Sequence, residues 1–160
     1  MSLRPIRPED EEFLCRLYAS TREEELAPVP WTTEQKGAFL RQQFQAQHAY
    51  WHEHYTGASF DLVLLDGAPI GRLYVDRWPR EIRIVDVSLL PEHRNGGIGT
   101  ALIRQVFAEG DRDGKPVSIH VEAFNPARRL YGRLGFDLVE DKGVYVLMAR
   151  PPATGALTVA

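Results

Sequence analysis

The segment Leu89-Leu90-Pro91-Glu92-His93-Arg94-Asn95-Gly96-Gly97-Ile98-Gly99-Thr100-Ala101-Leu102 carries the densest chemical signal in the chain. An apolar run ends at Leu90, glycines follow at 96, 97 and 99, and apolar residues at helical spacing begin beyond them. A turn of this kind aims several backbone N–H groups at one spot. The dipole of the helix that follows adds about half a positive charge there. Together these make an anion site, usually for phosphate. Glycine suits it because a side chain would hold the phosphate away. The bland reading of the same glycines is a tight turn into a helix. A P-loop requires Lys after its second glycine, and none follows here. A dinucleotide fingerprint requires Gly or Ala where Leu102 stands. Both of those readings are therefore weak.

Other residues could move protons. Asp86 interrupts the largely apolar run Ile82 to Leu90. An unpaired buried carboxylate is costly, so Asp86 either pairs with an arginine, such as Arg83 or Arg72, or accepts a proton during a reaction. His120 and Glu122 alternate onto one face of the next strand and could handle substrate or a proton. His93 lies at the entrance of the glycine turn, as a phosphate contact or as a solvated surface group. Cys15 falls on the apolar side of an N-terminal helix and reads as a small core residue. His48, His52 and His54 show no metal-site spacing with a carboxylate motif, so no metal is expected and they read as helix surface and tip residues.

The elements that position these groups follow from periodicity. Leu3 to Ile6 reads as an edge strand, because Pro5 would interrupt a central one. A helix opens at Pro8-Glu9-Asp10-Glu11, with acids in its first turn. Its apolar face is Phe13, Leu14, Leu17 and Tyr18. A second helix, capped by Thr32 or Thr33, carries Phe39, Leu40, Phe44, Trp51 and Tyr55 and stops by Gly57. Strands Phe60 to Leu65 and Ile70 to Val75 flank the Asp66-Gly67 turn. The strand Ile82 to Leu90 is apolar enough to be covered on both faces. After the glycine turn and its helix come a strand at Val117 to Val121 and a helix from Pro126 that ends at Gly135. A hairpin, Phe136 to Val139 and Val144 to Met148, turns at Lys142-Gly143. The order βααββ-βαβαββ is an α/β fold with a mixed sheet.

The chain has 160 residues, which suits one domain. With 19 basic and 22 acidic residues it lacks the basic excess of a nucleic-acid binder. No apolar run reaches the roughly 20 residues of a membrane span, and the N-terminus lacks the apolar core of a signal peptide. A lone cysteine excludes an internal disulfide. These features lead us to expect a cytoplasmic protein.

The glycine turn contains Arg94-x-x-Gly97-x-Gly99, which resembles the Arg/Gln-x-x-Gly-x-Gly/Ala signature of the Gcn5-related N-acetyltransferases (GNAT). Asn125-Pro126-Ala127-Arg128-Arg129-Leu130-Tyr131-Gly132-Arg133-Leu134-Gly135-Phe136 resembles that family's second block. Gly71 with its strand, and Leu3-Arg4-Pro5, match the usual third and first strands. The resemblance covers roughly residues 3 to 150, and the N-terminal helices match least.

The resemblance implies a mostly antiparallel central sheet flanked by helices. It implies one domain over residues 1–150 with a tail at 151–160, and acetyl-coenzyme A as co-substrate. The activity implied is transfer of the acetyl group to a primary amine by direct attack in a ternary complex. The pantetheine arm would pair with Val87, Ser88 and Leu89. The pyrophosphate would rest on the N–H groups of Arg94, Asn95, Gly96, Gly97, Ile98, Gly99 and Thr100, with Arg94 adding charge or holding the loop. Asn125 and Tyr131 would complete the cofactor site. An N–H near Leu89 or Leu90 would meet the oxyanion. Tyr131 would protonate the departing thiolate, since tyrosine and thiol have ordinary pKa values of about 10 and 8.5. Asp86 is the candidate base, with Glu122, His120 or a water chain as alternatives.

The acceptor expected is a small-molecule amine, held over the N-terminal helices and the second hairpin. Trp31, Phe44, Trp51, Tyr55 and Tyr74 either line its pocket or belong to the core. A protein or peptide amine is the alternative acceptor, and a non-catalytic acyl-coenzyme A-binding module is the alternative class. No nucleic-acid or membrane partner is expected. The chain would be a monomer or a homodimer, with the apolar tail 156–160 as a possible contact.

Overall fold

Proline and glycine punctuate the chain where its elements end, and the computed structural model follows that punctuation. It describes residues 1–153; the tail 154–160 lies outside the described residues. Strand β1 (Ser2–Pro5) leads through a 3₁₀ turn (Pro8–Asp10) into α1 (Glu11–Leu26) and α2 (Thr33–His54). Strands β2 (Ser59–Leu65), β3 (Ala68–Arg77) and β4 (Ile82–Leu89) follow. A second 3₁₀ turn (Pro91–His93) precedes α3 (Ile98–Asp113), then β5 (Val117–Glu122), α4 (Ala127–Leu134), β6 (Asp137–Asp141) and β7 (Tyr145–Arg150). The strands form one sheet in the order β1-β2-β3-β4-β5-β7-β6. The sheet is mostly antiparallel, and the β4/β5 pair is parallel. This is the α/β element order expected from the sequence, with β1 at the edge where Pro5 required it.

The contacts group into two compact units. One comprises Met1–Leu73 with Val87–Arg94; the other comprises Tyr74–Asp86 with the chain from Asn95 onward. In the first unit, Leu14, Cys15, Tyr18, Phe44 and Leu62 form a buried cluster. Cys15 is therefore a core residue, and burial raises its thiol pKa. The i+4 spacing from Phe44 brings the His48 ring onto it at 5.3 Å. His48 is thus half-buried rather than a surface group, and that burial lowers its pKa. Thr32 caps α2, accepting from Gln35 N at 3.1 Å, while the Gln35 side chain accepts from Thr32 N at 2.9 Å. At the start of α1, Asp10 accepts two bonds from Arg4, at 2.8 and 2.9 Å, and one from the Arg7 backbone N–H at 2.7 Å. The Arg4 hydrogen bonds hold the Asp10 carboxyl below the usual carboxylate range.

In the second unit, Ile82, Ile84, Val117, Ile119 and Val121 are buried, as are Leu102, Ile103, Val106 and Phe107 of α3. Phe136 packs against Phe107 with ring centres 5.1 Å apart. The α3 helix ends at Gly114, whose φ of 66° suits glycine.

Gly71 sits where β3 passes the end of β4. A Cβ there would overlap the Ser88 carbonyl oxygen and lie 2.7 Å from the Leu89 side chain. Backbone cannot give way as a flexible side chain can. Gly71→Ala should therefore destabilise the protein by about 1–3 kcal/mol, as overpacking does. Urea denaturation measures this, and an unchanged midpoint would contradict the close approach.

Candidate active site

Helix α3 begins at a left-handed Gly97 (φ 88°), preceded by Asn95 at φ 63°. No side chain caps this end, and its first turn carries no acidic residue. By contrast, α1 and α2 both carry acids in their first turns. The leading N–H groups of a helix have no intrahelical acceptor. Here they are left for an outside partner, and the dipole favours an anion. A Cβ at Gly96 or Gly97 would meet nothing within 4 Å, so the loop faces open space. The second unit thus carries an uncapped, glycine-opened helix start that can hold a phosphate.

Beside it on the chain, Arg94 has a different task. Its Nε donates to the Leu89 carbonyl at 2.9 Å, and an Nη donates to Ser20 Oγ of α1 at 3.2 Å. Of the two roles open to Arg94, these bonds are those of a residue that holds the loop. They fix the end of β4 against α1 within the first unit.

The same strand end narrows the choice of oxyanion donor. Leu90 N donates to Ile70 O at 2.8 Å. Leu90 N–H is therefore occupied. In an antiparallel pair, alternate residues direct their N–H groups to opposite sides. Leu89 N–H accordingly points away from β3. Its neighbour across the pair is Gly71, whose missing side chain lets the strands close.

The parallel ladder between β4 and β5 comprises Ile82↔Val117, Arg83↔Ser118 and Ile84↔Ile119. It ends there, although β4 runs on to Leu89 and β5 to Glu122. Val87 and Ser88 lie on the stretch of β4 beyond the ladder and are half-buried.

Tyr131 lies on α4, 8% exposed, with its ring edge-on to Phe136 at 5.7 Å. Burial first, and the Asp86 charge second, push its pKa up to about 12. Asp86 is half-buried and electrostatically coupled to this phenol. Arg83 is not its partner. Arg83 bonds Ser118, His120 and Glu81, because residues 83 and 86 fall on opposite faces of the strand. Arg72, buried on β3, donates to Gln47 Oε1 at 3.2 Å and lies 5.1 Å from the Trp51 ring. Asn125 accepts from Ala127 N at 2.9 Å and so shapes the start of α4. His93 is half-buried in the 3₁₀ turn. Of the aromatic residues proposed for an acceptor pocket, Phe44 and Tyr74 are fully buried, whereas Trp31 is 43% exposed against Phe39.

The sequence allowed Arg94 to hold the loop but did not name the Leu89 carbonyl as its partner. The signal was present: a charged side chain lies five positions after the carbonyl, across a proline turn. Arg94→Lys keeps the charge but loses the forked donor set. If the clasp matters, Lys and Ala at position 94 should destabilise alike, by about 1–2 kcal/mol, the worth of a charge-assisted bond. Denaturant melts check this; a Lys variant as stable as wild type would mean that only the charge counts.

Comparison with known proteins agrees with this geometry. The family model described as the acetyltransferase (GNAT) family matches residues 14–136. The fold resembles the PaiA N-acetyltransferase of Thermoplasma acidophilum in complex with coenzyme A. The TM-score is 0.71 at 17% identity, over 94% of this chain and 98% of that one. An acetyltransferase from Thermus thermophilus superposes with a TM-score of 0.68 at 22% identity, over 94% and 96%. A curated relative is a histone acetyltransferase type B catalytic subunit of Aspergillus fumigatus, 23% identical over 145 residues. That match takes in 90% of this chain but only 24% of the relative's length. No helix among the described residues is long and apolar enough to cross a membrane. A family model matched from α1 to Phe136, on a sheet of this order, places the chain in the GNAT family of acetyltransferases.

Proposed function

We propose that the protein transfers an acetyl group from acetyl-coenzyme A to a primary amine on a small molecule, by direct attack. The observation that carries this reading is the uncapped, glycine-opened start of α3 in a chain of this family. The N–H groups from Asn95 to Thr100 would take the pyrophosphate. Val87 and Ser88, past the end of the β4/β5 ladder, would align the pantetheine arm, and Leu89 N–H would donate to the carbonyl oxygen as it becomes an oxyanion.

Tyr131 supplies the proton for the leaving thiolate. With its pKa near 12 it is protonated at any physiological pH. Full transfer to a free thiolate of pKa about 8.5 would be uphill by about 5 kcal/mol. The burial that raises the phenol also raises a thiolate held beside it, since both anions lose solvation. The two values therefore move together, and hydrogen-bond donation passes into proton transfer as the carbon–sulfur bond breaks. Asp86 would accept the proton released by the amine. Its charge also helps to keep Tyr131 protonated. Asn125, through its bond to Ala127 N, sets the direction of α4 and hence of Tyr131.

Tyr131→Phe keeps the ring and removes only the proton donor. Turnover should fall about 10²–10⁴-fold, with melting temperature and coenzyme A affinity unchanged. Release of free thiol across a panel of amines reads the rate. Unchanged turnover where chemistry limits the rate would leave Tyr131 as packing.

Gly97→Asp places a carboxylate where the pyrophosphate would sit and strains a left-handed position. Calorimetric titration with coenzyme A should show affinity lost by two orders of magnitude or more, as expected for about 3 kcal/mol or more of uncompensated charge. Wild-type affinity would contradict the phosphate assignment. A chain that binds coenzyme A tightly but acetylates no amine would be a binding module instead.

A further inference from the structure

His120, on β5, stands between two cationic side chains. Arg83 lies opposite Ser118 in the β4/β5 register, and His120 is two residues further along the same face. The Arg83 guanidinium is engaged through all three of its nitrogens. Its Nε donates to Ser118 Oγ at 2.8 Å, one Nη to His120 Nδ1 at 3.0 Å, and the other to Glu81 Oε2 at 3.4 Å. It also lies over the Trp78 ring at 4.8 Å. The Ser118 hydroxyl donates to the same Glu81 oxygen. Arg83 and Ser118 are both buried, so this arrangement is held by packing as well as by hydrogen bonds.

A guanidinium only donates and does not lose its proton. The shorter contact, to Arg83, assigns His120 Nδ1 as the acceptor, which puts the proton of the neutral ring on Nε2. That nitrogen is 3.3 Å from Nζ of Lys142, in the turn between β6 and β7. An ammonium also only donates. Two donors thus face one another with no acceptor between them. Burial, followed by the charges of Arg83 and Lys142, lowers the His120 pKa, against smaller opposing effects of Glu140 and Glu81. The ring is accordingly neutral at neutral pH. Lys142 makes no ion pair with any described residue.

We propose that His120 Nε2–H and the Lys142 ammonium form a binding site for a carboxylate group. Two N–H donors from different side chains match the two carboxylate oxygens. The charge limits the ligand to a monoanion: Glu81 bonds Arg83, and Glu140 already acts on His120, so among the described residues Lys142 is the one cation left to face it. A phosphate dianion would require a second free cation. The carboxylate could belong to the amine acceptor itself or to a separate ligand. Only the first source rests on the acetyltransferase reading above.

The test is long-range ¹H–¹⁵N spectroscopy of the full chain with labelled histidine, titrated with acetate at neutral pH. The free protein should show the His120 proton on Nε2. Acetate should shift that nitrogen saturably and raise the His120 pKa. Lys142→Ala, in an exposed turn, should keep its melting temperature and lose the saturation. A proton found on Nδ1, or a linear drift equal in both proteins, would overturn the site. Acetyl transfer to matched amines, tyrosine against tyramine and lysine against cadaverine, then identifies the source. A preference of about tenfold or more in kcat/KM for the carboxylated member, the worth of one charge-assisted contact, assigns the site to the acceptor. Equal rates with an intact titration assign it to a separate carboxylate. An intact titration without transfer to any amine supports the site and overturns the acetyltransferase reading alone.

Discussion

Helix α3 opens with N–H groups that no side chain among the described residues caps. At α2 and α4 the chain meets this requirement itself: Thr32 and Gln35 close the start of α2, and the Asn125 side chain accepts at the start of α4. Leaving one helix start open costs stability, because buried or crowded N–H groups need acceptors. The glycine loop keeps those groups accessible instead of covering them. An anion of the right size satisfies the donors, and its charge meets the helix dipole.

Two further features are arranged around strand β4. Its ladder with β5 stops at Ile84, well before the strand itself stops. At its far end, Ile70 occupies Leu90 N–H, Arg94 occupies the Leu89 carbonyl, and Gly71 makes room for the close pairing. What remains directed away from β3 is Leu89 N–H. The Leu90 N–H and the Leu89 carbonyl are thus held by bonds of the fold, and Leu89 N–H is the group the proposed chemistry would use. Rigidity there matters because an oxyanion donor is effective only when it need not reorganise during the reaction.

The element order was legible from the sequence because glycine and proline mark nearly every boundary, and because periodicity shifts from helical to alternating at Ser59. The glycine loop and Tyr131 were legible because their spacing is local. Less was legible where two segments distant in sequence meet. The end of the β4/β5 ladder leaves no trace in composition, since both strands mix apolar and polar residues on either side of it. Of the two arginines suggested as partners for Asp86, Arg83 was offered through proximity alone, although strand alternation already assigns the two to opposite faces. His48 read as surface because helix α2 is polar overall, yet its i+4 relation to Phe44 draws it inward. The Arg83–His120–Lys142 contacts join three segments and could only be seen in the fold.

The central claim is that the open start of α3 is where coenzyme A places its pyrophosphate. Amide ¹H–¹⁵N shifts of Ile98, Gly99 and Thr100 report on those N–H groups directly. Titration with coenzyme A should move all three downfield and saturate. Pantetheine, which lacks the pyrophosphate, should leave them in place. Saturable binding of coenzyme A with these amides unmoved would contradict the account.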